Sequence, residues 1–296
     1  MELHQLRYLV AVAKTGNFSR AAELCHVSQP SLSQQIQKLE DELGERLFDR
    51  LSRQARLTPA GEDFLPRAKR VLAELETAQR EVSERRGLLR GTITVGVLPT
   101  IAPYLLPGII VAFGKAFPGI EVVVQEDTTS HLLVLGQAGD LDLMIVSSPV
   151  TDERFKKEPL FDEELLLALP ADHPLARKSA ITLADLDSER FILMREGHCL
   201  GDQVLNFCHR RDFRPQVSGR STQISTILAL VRAGAGISLV PQMVLASVQD
   251  ATLVFRSLEK PQPRRRIVAL WPHSHPLSRA SVEFLKCLRT ASLKPS

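Results

Sequence analysis

Apolar residues recur at three- and four-residue spacings through the first third of the chain, the period of helices that bury one face. Leu6, Leu9, Val10 and Ala13 stripe a predicted helix over His4–Lys14, which Gly16 is placed to stop. A second, shorter helix starts at Ser19, which can cap it, and carries Ala21, Ala22 and Leu24. After a turn at His26-Val27, Ser28 can cap a third helix with Pro30 in its first turn and Leu32, Ile36, Leu39 and Leu43 on one face. From Pro59 to Arg86, Leu65, Ala68, Leu72, Leu75 and Val82 fall on heptad a and d positions, with Gln79 taking an a position. Such a stripe on a lone helix predicts dimerisation. Gly87 and Gly91 then mark a hinge.

Beyond the hinge the pattern alternates. Thr92–Val97 reads as a strand, Leu105–Phe117 as a helix, Glu121–Gln125 as a strand, His131–Leu135 as a helix and Leu141–Val146 as a strand. A second set follows with strands at Leu165–Leu169, Phe191–Met194, Gly236–Pro241 and Thr252–Phe255, a helix at Ile224–Arg232, a late strand at Arg266–Trp271 and a closing helix at Arg279–Thr290. This alternation predicts an α/β fold around a parallel sheet. Ligands of such folds bind near the C-terminal ends of strands.

At 296 residues, 44% hydrophobic and 24% charged, the chain has an ordinary globular composition and room for two or three domains. A net charge of +3 is too small to argue a partner by itself. With no targeting segment and no apolar run of spanning length, the expectation is a cytoplasmic protein without membrane association. In a reducing compartment four cysteines are not a structural disulfide framework, and no Cys-x-x-Cys or histidine-rich spacing suggests a metal. No cofactor is expected.

Where the charge and polarity sit says more than their sum. Opposite the apolar face of the third helix lie Gln29, Ser31, Ser33, Gln34, Gln37 and Lys38, side chains that hydrogen-bond base edges and phosphates. The reading is a helix-turn-helix whose recognition helix begins at Ser28, Gln29 and Pro30. Arg46–Thr58, with Arg50 and Arg53, suits a small wing over the phosphate backbone. The expected partner is double-stranded DNA, and a two-fold dimer implies a pseudo-palindromic site.

Cys199 and Cys208 flank a segment with Leu200, Val204, Leu205 and Phe207 at helical spacings. Nine residues of helix separate the two positions by roughly 13 Å, whereas a disulfide tolerates no more than about 7 Å between Cα atoms. Joining them requires the helix to unwind, so oxidation becomes a conformational event. Cys199, at the helix start beside His198, is expected to have the lowered thiol pKa and to react with peroxide, with Cys208 resolving the sulfenic acid. Gly201 is expected to weaken this helix by ~1 kcal/mol relative to alanine, so Gly201→Ala should harden it against unwinding.

Phe18-Ser19-Arg20-Ala21-Ala22, Ser28-Gln29-Pro30-Ser31-Leu32-Ser33 and Leu57-Thr58-Pro59-Ala60-Gly61 resemble the winged helix-turn-helix of LysR-type transcriptional regulators, and the long helix resembles their linker. The resemblance implies a winged helix-turn-helix over residues 1–58, a linker helix and hinge over 59–90, and an effector domain over 91–296 resembling periplasmic binding proteins. Lobe I would hold 91–162 and 267–296, and lobe II 163–266. It further implies a homo-oligomer built as a dimer of dimers, and RNA polymerase as a partner. Gly197-His198-Cys199-Leu200, Asp202-Gln203 and Phe207-Cys208 are similar to the peroxide-sensing members of the family. That similarity implies a transcriptional activator of oxidative-stress genes, not an enzyme, switched by a reversible Cys199–Cys208 disulfide and reset by a thioredoxin- or glutaredoxin-type reductant. It implies that Thr100 and Thr129 hold hydrogen peroxide or an ordered water, with His198, Asp202 and Arg266 completing the pocket. Which of Arg264, Arg265 and Arg266 faces the thiol stays open; strand alternation puts Arg264 on the face of Arg266. Cys25 and Cys287, on apolar helical faces, read as buried and inert.

Rival readings are a LysR-type regulator responding to a small organic effector between its lobes, a thiol peroxidase using Cys199, and a transport solute-binding protein. Insensitivity of DNA binding to peroxide would favour the first, and multiple turnovers of peroxide the second. The attached DNA-binding domain argues against the third.

Overall fold

The computed structural model describes residues 1–49, 55–84, 90–195, 197–248 and 251–292. They form two compact units, one from the residues up to 84 and the other from nearly all those after 90.

The N-terminal unit contains α1 (Leu3–Thr15), α2 (Phe18–Leu24), α3 (Gln29–Leu43), β1 (Phe48–Asp49), β2 (Arg56–Leu57) and α4 (Pro59–Glu84). Leu9, Val12, Leu32, Ile36, Leu39 and Phe48 are fully buried and form its core. Gly16 and Gly44 end α1 and α3 at φ of 63° and 74°, a left-handed conformation that glycine adopts without cost. The cap of α2 differs from expectation. Asn17 Oδ1 accepts the backbone N–H groups of Ser19 (2.8 Å) and Arg20 (3.1 Å), so Ser19 lies inside the helix rather than at its start. Replacing Asn17 with alanine should therefore lower the stability of this unit by about 1 kcal/mol, read as a lower urea midpoint at unchanged slope. An unchanged midpoint would mean that the cap contributes nothing.

β1 and β2 pair antiparallel with Phe48 opposite Leu57 and Asp49 opposite Arg56, a two-stranded wing. Arg50 and Arg53 lie outside the described residues. Along α4, Ala68 is fully buried and Leu65 and Leu72 are half-buried against the core of the same unit. These residues seal the helix-turn-helix, which corrects the expectation that the whole stripe serves a partner helix. The side chains of Gln79 and Val82 lie outside the described residues.

The C-terminal unit runs β3 (Gly91–Val97), α5 (Ala102–Ala116), β4 (Ile120–Glu126), α6 (Thr129–Ala138), β5 (Leu143–Ser147), β6 (Phe155–Pro170), β7 (Arg190–Met194), α7 (Cys199–His209), β8 (Gln216–Ser221), α8 (Ile224–Arg232), β9 (Ser238–Pro241), β10 (Leu253–Arg256), β11 (Arg264–Pro272) and α9 (Arg279–Ser292). One sheet has the order β10-β6-β11-β5-β3-β4, with β9 also paired to β6. β3 lies parallel to β4 and β5, whereas β11 runs antiparallel to β5 and β6. The parallel sheet expected from the alternation is thus confined to β4-β3-β5, with β7 and β8 a separate parallel pair.

Two hydrophobic cores lie along this sheet. The first gathers Val95, Val97, Phe113, Ile145, Ile267 and Phe284, with Phe113 and Phe284 edge to face at 5.1 Å, so β11 and α9 return the chain to the lobe where β3 began. The second gathers Leu167, Phe191, Leu193, Val204, Val231 and Leu239. β6 joins the two. Residues 155–164 pair with β11, and residues 165–170 pair with β9 and β10.

Candidate functional site

α7 lies where the two cores meet. Leu200, Val204 and Cys208, spaced four apart, are buried in the second core, which fixes one face of the helix against lobe II. Cys199, on an adjoining face, packs against the first core. Both thiols are free, and each sulfur is seated in a different lobe. The helix can approach β7 closely because position 201 is glycine: a Cβ built there would stand 2.8 Å from the Met194 carbonyl oxygen. Gly197 precedes the helix at φ +87°, in the left-handed region. His198 occupies the N-cap position, half-buried, but makes no side-chain capping bond.

Burial pushes the Cys199 thiol above its ordinary pKa, against the pull of Arg265, of the Thr129 hydroxyl and of the Leu200 backbone N–H; the Asp202 carboxylate adds to the push. This corrects the expectation that the helix terminus and His198 leave Cys199 with a lowered pKa, because desolvation outweighs every favourable contact. The Cys208 thiol is pushed up as well, to about 11, again through burial and despite Arg211. Each thiol has a guanidinium drawing it toward the thiolate, and Cys199 has a threonine hydroxyl as well. Thr129, the first residue of α6, has a buried hydroxyl oxygen with no partner of hydrogen-bond geometry among the described residues. Its influence on the thiol comes from proximity.

The arginine beside the thiol is Arg265, not Arg266. β6 and β11 pair Arg265 opposite Glu163 and Arg266 opposite Asp162, on alternate faces of the sheet. Arg266 points outward, with an exposed side chain whose Nε donates to Asp162 Oδ1 at 2.7 Å. Arg264 is exposed as well. Arg265 is fully buried: Nε donates to Glu163 Oε1 (2.7 Å), Nη1 to Thr100 Oγ1 (2.9 Å) and Nη2 to the Thr100 carbonyl oxygen (3.1 Å). Thr100, only 3% exposed, is thereby tied to the cation that acts on Cys199. Of the residues expected in the pocket, Thr100, Thr129 and Cys199 come together around Arg265, Asp202 is exposed at the rim, and Arg266 is elsewhere.

Arg265, which the sequence left open among three arginines, and Glu163 and Gln203, which it did not single out, complete this site. Gln203 Nε2 donates to Ser147 Oγ (2.7 Å) and to the Ser148 carbonyl oxygen (2.8 Å), fastening α7 to the end of β5 in lobe I. The signal for the first two was present. Asp162-Glu163 and Arg265-Arg266 are complementary pairs in reverse order, as adjacent antiparallel strands require.

In the N-terminal unit, Ser28 Oγ accepts the Ser31 N–H at 3.4 Å and opens α3. Ser28, Gln29, Pro30, Ser31 and Gln34 are exposed and Ser33 is half-buried, so the start of α3 presents a polar, solvent-facing edge of groove-binding type. Among the described residues no helix is long and apolar enough to cross a membrane.

Comparison with known proteins bears on both units. The model for the bacterial regulatory helix-turn-helix protein, lysR family, matches residues 3–62, and that for the LysR substrate binding domain matches residues 86–292. The chain is 37% identical to the DNA-binding transcriptional dual regulator OxyR of Escherichia coli K12, over 98% of this chain and 95% of that one. It superposes on a full-length OxyR from Pseudomonas aeruginosa carrying a cysteine-to-aspartate substitution with a TM-score of 0.82, at 34% identity over 99% of this chain and 94% of the other. A hydrogen-peroxide-bound cysteine-to-serine mutant of Corynebacterium glutamicum OxyR is similar at TM-score 0.66 and 33% identity, over 98% and 92% of the two chains. With a family model covering well over half of its length and relatives matched nearly end to end, this chain belongs to the LysR family of bacterial transcriptional regulators.

Proposed function

We propose that this protein is a peroxide-sensing, DNA-binding transcriptional activator of oxidative-stress genes, switched by a reversible disulfide between Cys199 and Cys208. The observation that carries the reading is Cys199 itself. It is a half-buried thiol at the start of a short helix, drawn toward the thiolate by Arg265 and Thr129, in a chain similar almost throughout to hydrogen peroxide-inducible regulators. In the first step the Cys199 thiolate attacks one peroxide oxygen, the O–O bond breaks, and protonation of the departing hydroxide yields water and a sulfenic acid. Thr100 and Thr129 hold the peroxide, and the fixed guanidinium favours the thiolate. In the second step the Cys208 sulfur attacks the Cys199 sulfur and expels the hydroxyl as water, forming the disulfide.

The second step cannot occur on intact α7, whose geometry keeps the two Cα atoms roughly 13 Å apart. The sulfenic acid is bulkier and more polar than the thiol it replaces in the lobe I core, so it leaves, the Gln203 bonds to Ser147 and Ser148 break, and α7 unwinds. The refolded segment changes how copies of the chain pack in a dimer of dimers, and with that the spacing of their recognition helices on pseudo-palindromic double-stranded DNA. RNA polymerase reads the outcome in the cytoplasm, and a thioredoxin- or glutaredoxin-type dithiol resets the switch by exchange.

The test is to treat reduced protein with one equivalent of hydrogen peroxide, quench in acid, alkylate, and map the cysteines by mass spectrometry. An intramolecular Cys199–Cys208 disulfide, absent in Cys199→Ser, is the expected result. Free thiols at both positions after excess peroxide would overturn the reading and leave a regulator that answers to a small organic effector.

A further inference from the structure

Arg265 is a long, fully buried side chain at the junction of the lobes, and its direction decides whether the thiol has a cation beside it. Three sides of its guanidinium are held. Nη1 and Nη2 face Thr100, Nη2 also lies 3.6 Å from Met243 Sδ, and Nε meets Glu163. Of these partners only Glu163 carries a charge, and it is itself gripped twice: Oε1 accepts Arg265 Nε at 2.7 Å, while Oε2 accepts the Met243 backbone N–H at 3.1 Å. Glu163 is 6% exposed, so it has little water to turn to. Its carboxylate therefore spans from β6 to β11 on one side and to the turn carrying Met243 on the other, and it locks the guanidinium from the edge opposite Thr100.

We propose that Glu163 is a positioning residue for the thiol chemistry, acting by reach: its carboxylate holds the Nε edge of Arg265 so that the Nη groups stay aimed at Thr100 and toward Cys199. The inference rests on Cys199 being the reactive thiol. The groups that bear on that thiol are Arg265 from β11, Thr129 from α6, and Asp202 and the Leu200 N–H from α7 itself; Tyr104 on α5 also lies within the influence of Arg265. Of these, Arg265 is the one whose position depends on a long side chain held at its tip.

Two variants separate reach from charge. Glu163→Gln keeps the length and an acceptor oxygen for Nε but removes the charge. Glu163→Asp keeps the charge but draws the carboxylate back by one methylene, so it cannot meet both Arg265 and Met243. The readout is the pH profile of Cys199 alkylation by iodoacetamide in the full-length reduced protein, quantified at that cysteine by mass spectrometry. This reads thiolate without peroxide. Glu163→Asp should move the half-point to higher pH, with alkylation slowed about threefold or more at pH 8, and Glu163→Gln should leave the half-point at or below wild type. An aspartate variant with a wild-type profile overturns the proposal, as does a glutamine variant shifted to higher pH, so either variant decides the matter if the other fails to fold. Because alkylation is independent of peroxide, a wild type that alkylates as described yet forms no disulfide would sink the sensor reading and leave the role of Glu163 standing.

Discussion

Replacing Arg265 with methionine will slow the oxidation of Cys199 by hydrogen peroxide at neutral pH by about tenfold or more, whereas Arg266→Met will leave the rate unchanged. The two arginines are neighbours in sequence and opposites in setting. Arg265 is fully buried and pulls the thiol toward its thiolate, while Arg266 sits in an exposed cross-strand pair with Asp162. The sign follows from the thiol. Burial already holds Cys199 above its ordinary pKa, so at neutral pH only a minor fraction is thiolate, and the rate should climb about tenfold per pH unit below the pKa. Removing the cation raises that pKa further and moves the whole profile to higher pH. Stopped-flow oxidation followed from about pH 6 up to the pH at which the rate levels off gives both the rate and the shift. Because removing one partner of a buried ion pair costs about 3–5 kcal/mol, the near-ultraviolet circular dichroism of the variant must match wild type before its rate is read. A matched variant with the wild-type profile would show that Arg265 does not act on the thiol.

Gly201→Ala carries the second large effect, and its direction is the reverse of what helix propensity alone gives. Alanine favours a helix interior by ~1 kcal/mol over glycine, which would harden α7 and oppose oxidation. The structure sets a larger opposing term. The added methyl would lie 2.8 Å from the Met194 carbonyl oxygen, a backbone atom held in β7, so α7 must shift outward at a cost of about 1–3 kcal/mol. That strain exists only in the reduced, helical state. The reduced form should lose about 1 kcal/mol net, and the disulfide couple should move about 20 mV to more negative potential, 30 mV corresponding to ~1.4 kcal/mol. Equilibration against a dithiothreitol redox buffer measures the shift. A move to more positive potential would mean that β7 yields and propensity wins.

The N-terminal unit was largely legible because each of its elements buries one face within its own few dozen residues. Leu32, Ile36 and Leu39 at helical spacing, with Ser28 ahead and Gly44 behind, determine α3 without reference to anything distant. The cap of α2 was assigned two residues late, since Ser19 and Asn17 are both good caps and only the backbone shows which one turns. The C-terminal unit was legible in its apolar strands and not in its polar ones. β8 (Gln216–Ser221) is a mostly exposed strand with no hydrophobic run, and the first half of β6 carries charges that report pairing with β11 rather than burial. The misassigned arginine has the same origin. Alternation tells which residues share a face but not which face is inside, and a slip of one residue exchanges Arg265 with its neighbours. Gly201 was misread for a related reason: its role is a close approach to β7, which no local pattern encodes.

β6 has one further consequence. Because this single strand pairs with β11 over its first part and with β9 and β10 over its last, the two lobes share a continuous hydrogen-bonded beam. Any closing of one lobe onto the other must be taken up within the strand itself, at the step from Glu164 to Leu165 where its pairs pass from β11 to β9. Turning over one short helix breaks none of these pairs. The effector unit is thus mechanically suited to answer a small oxidant that leaves nothing bound behind it, storing the encounter as a covalent mark on a continuous frame instead of as a ligand caught between moving jaws.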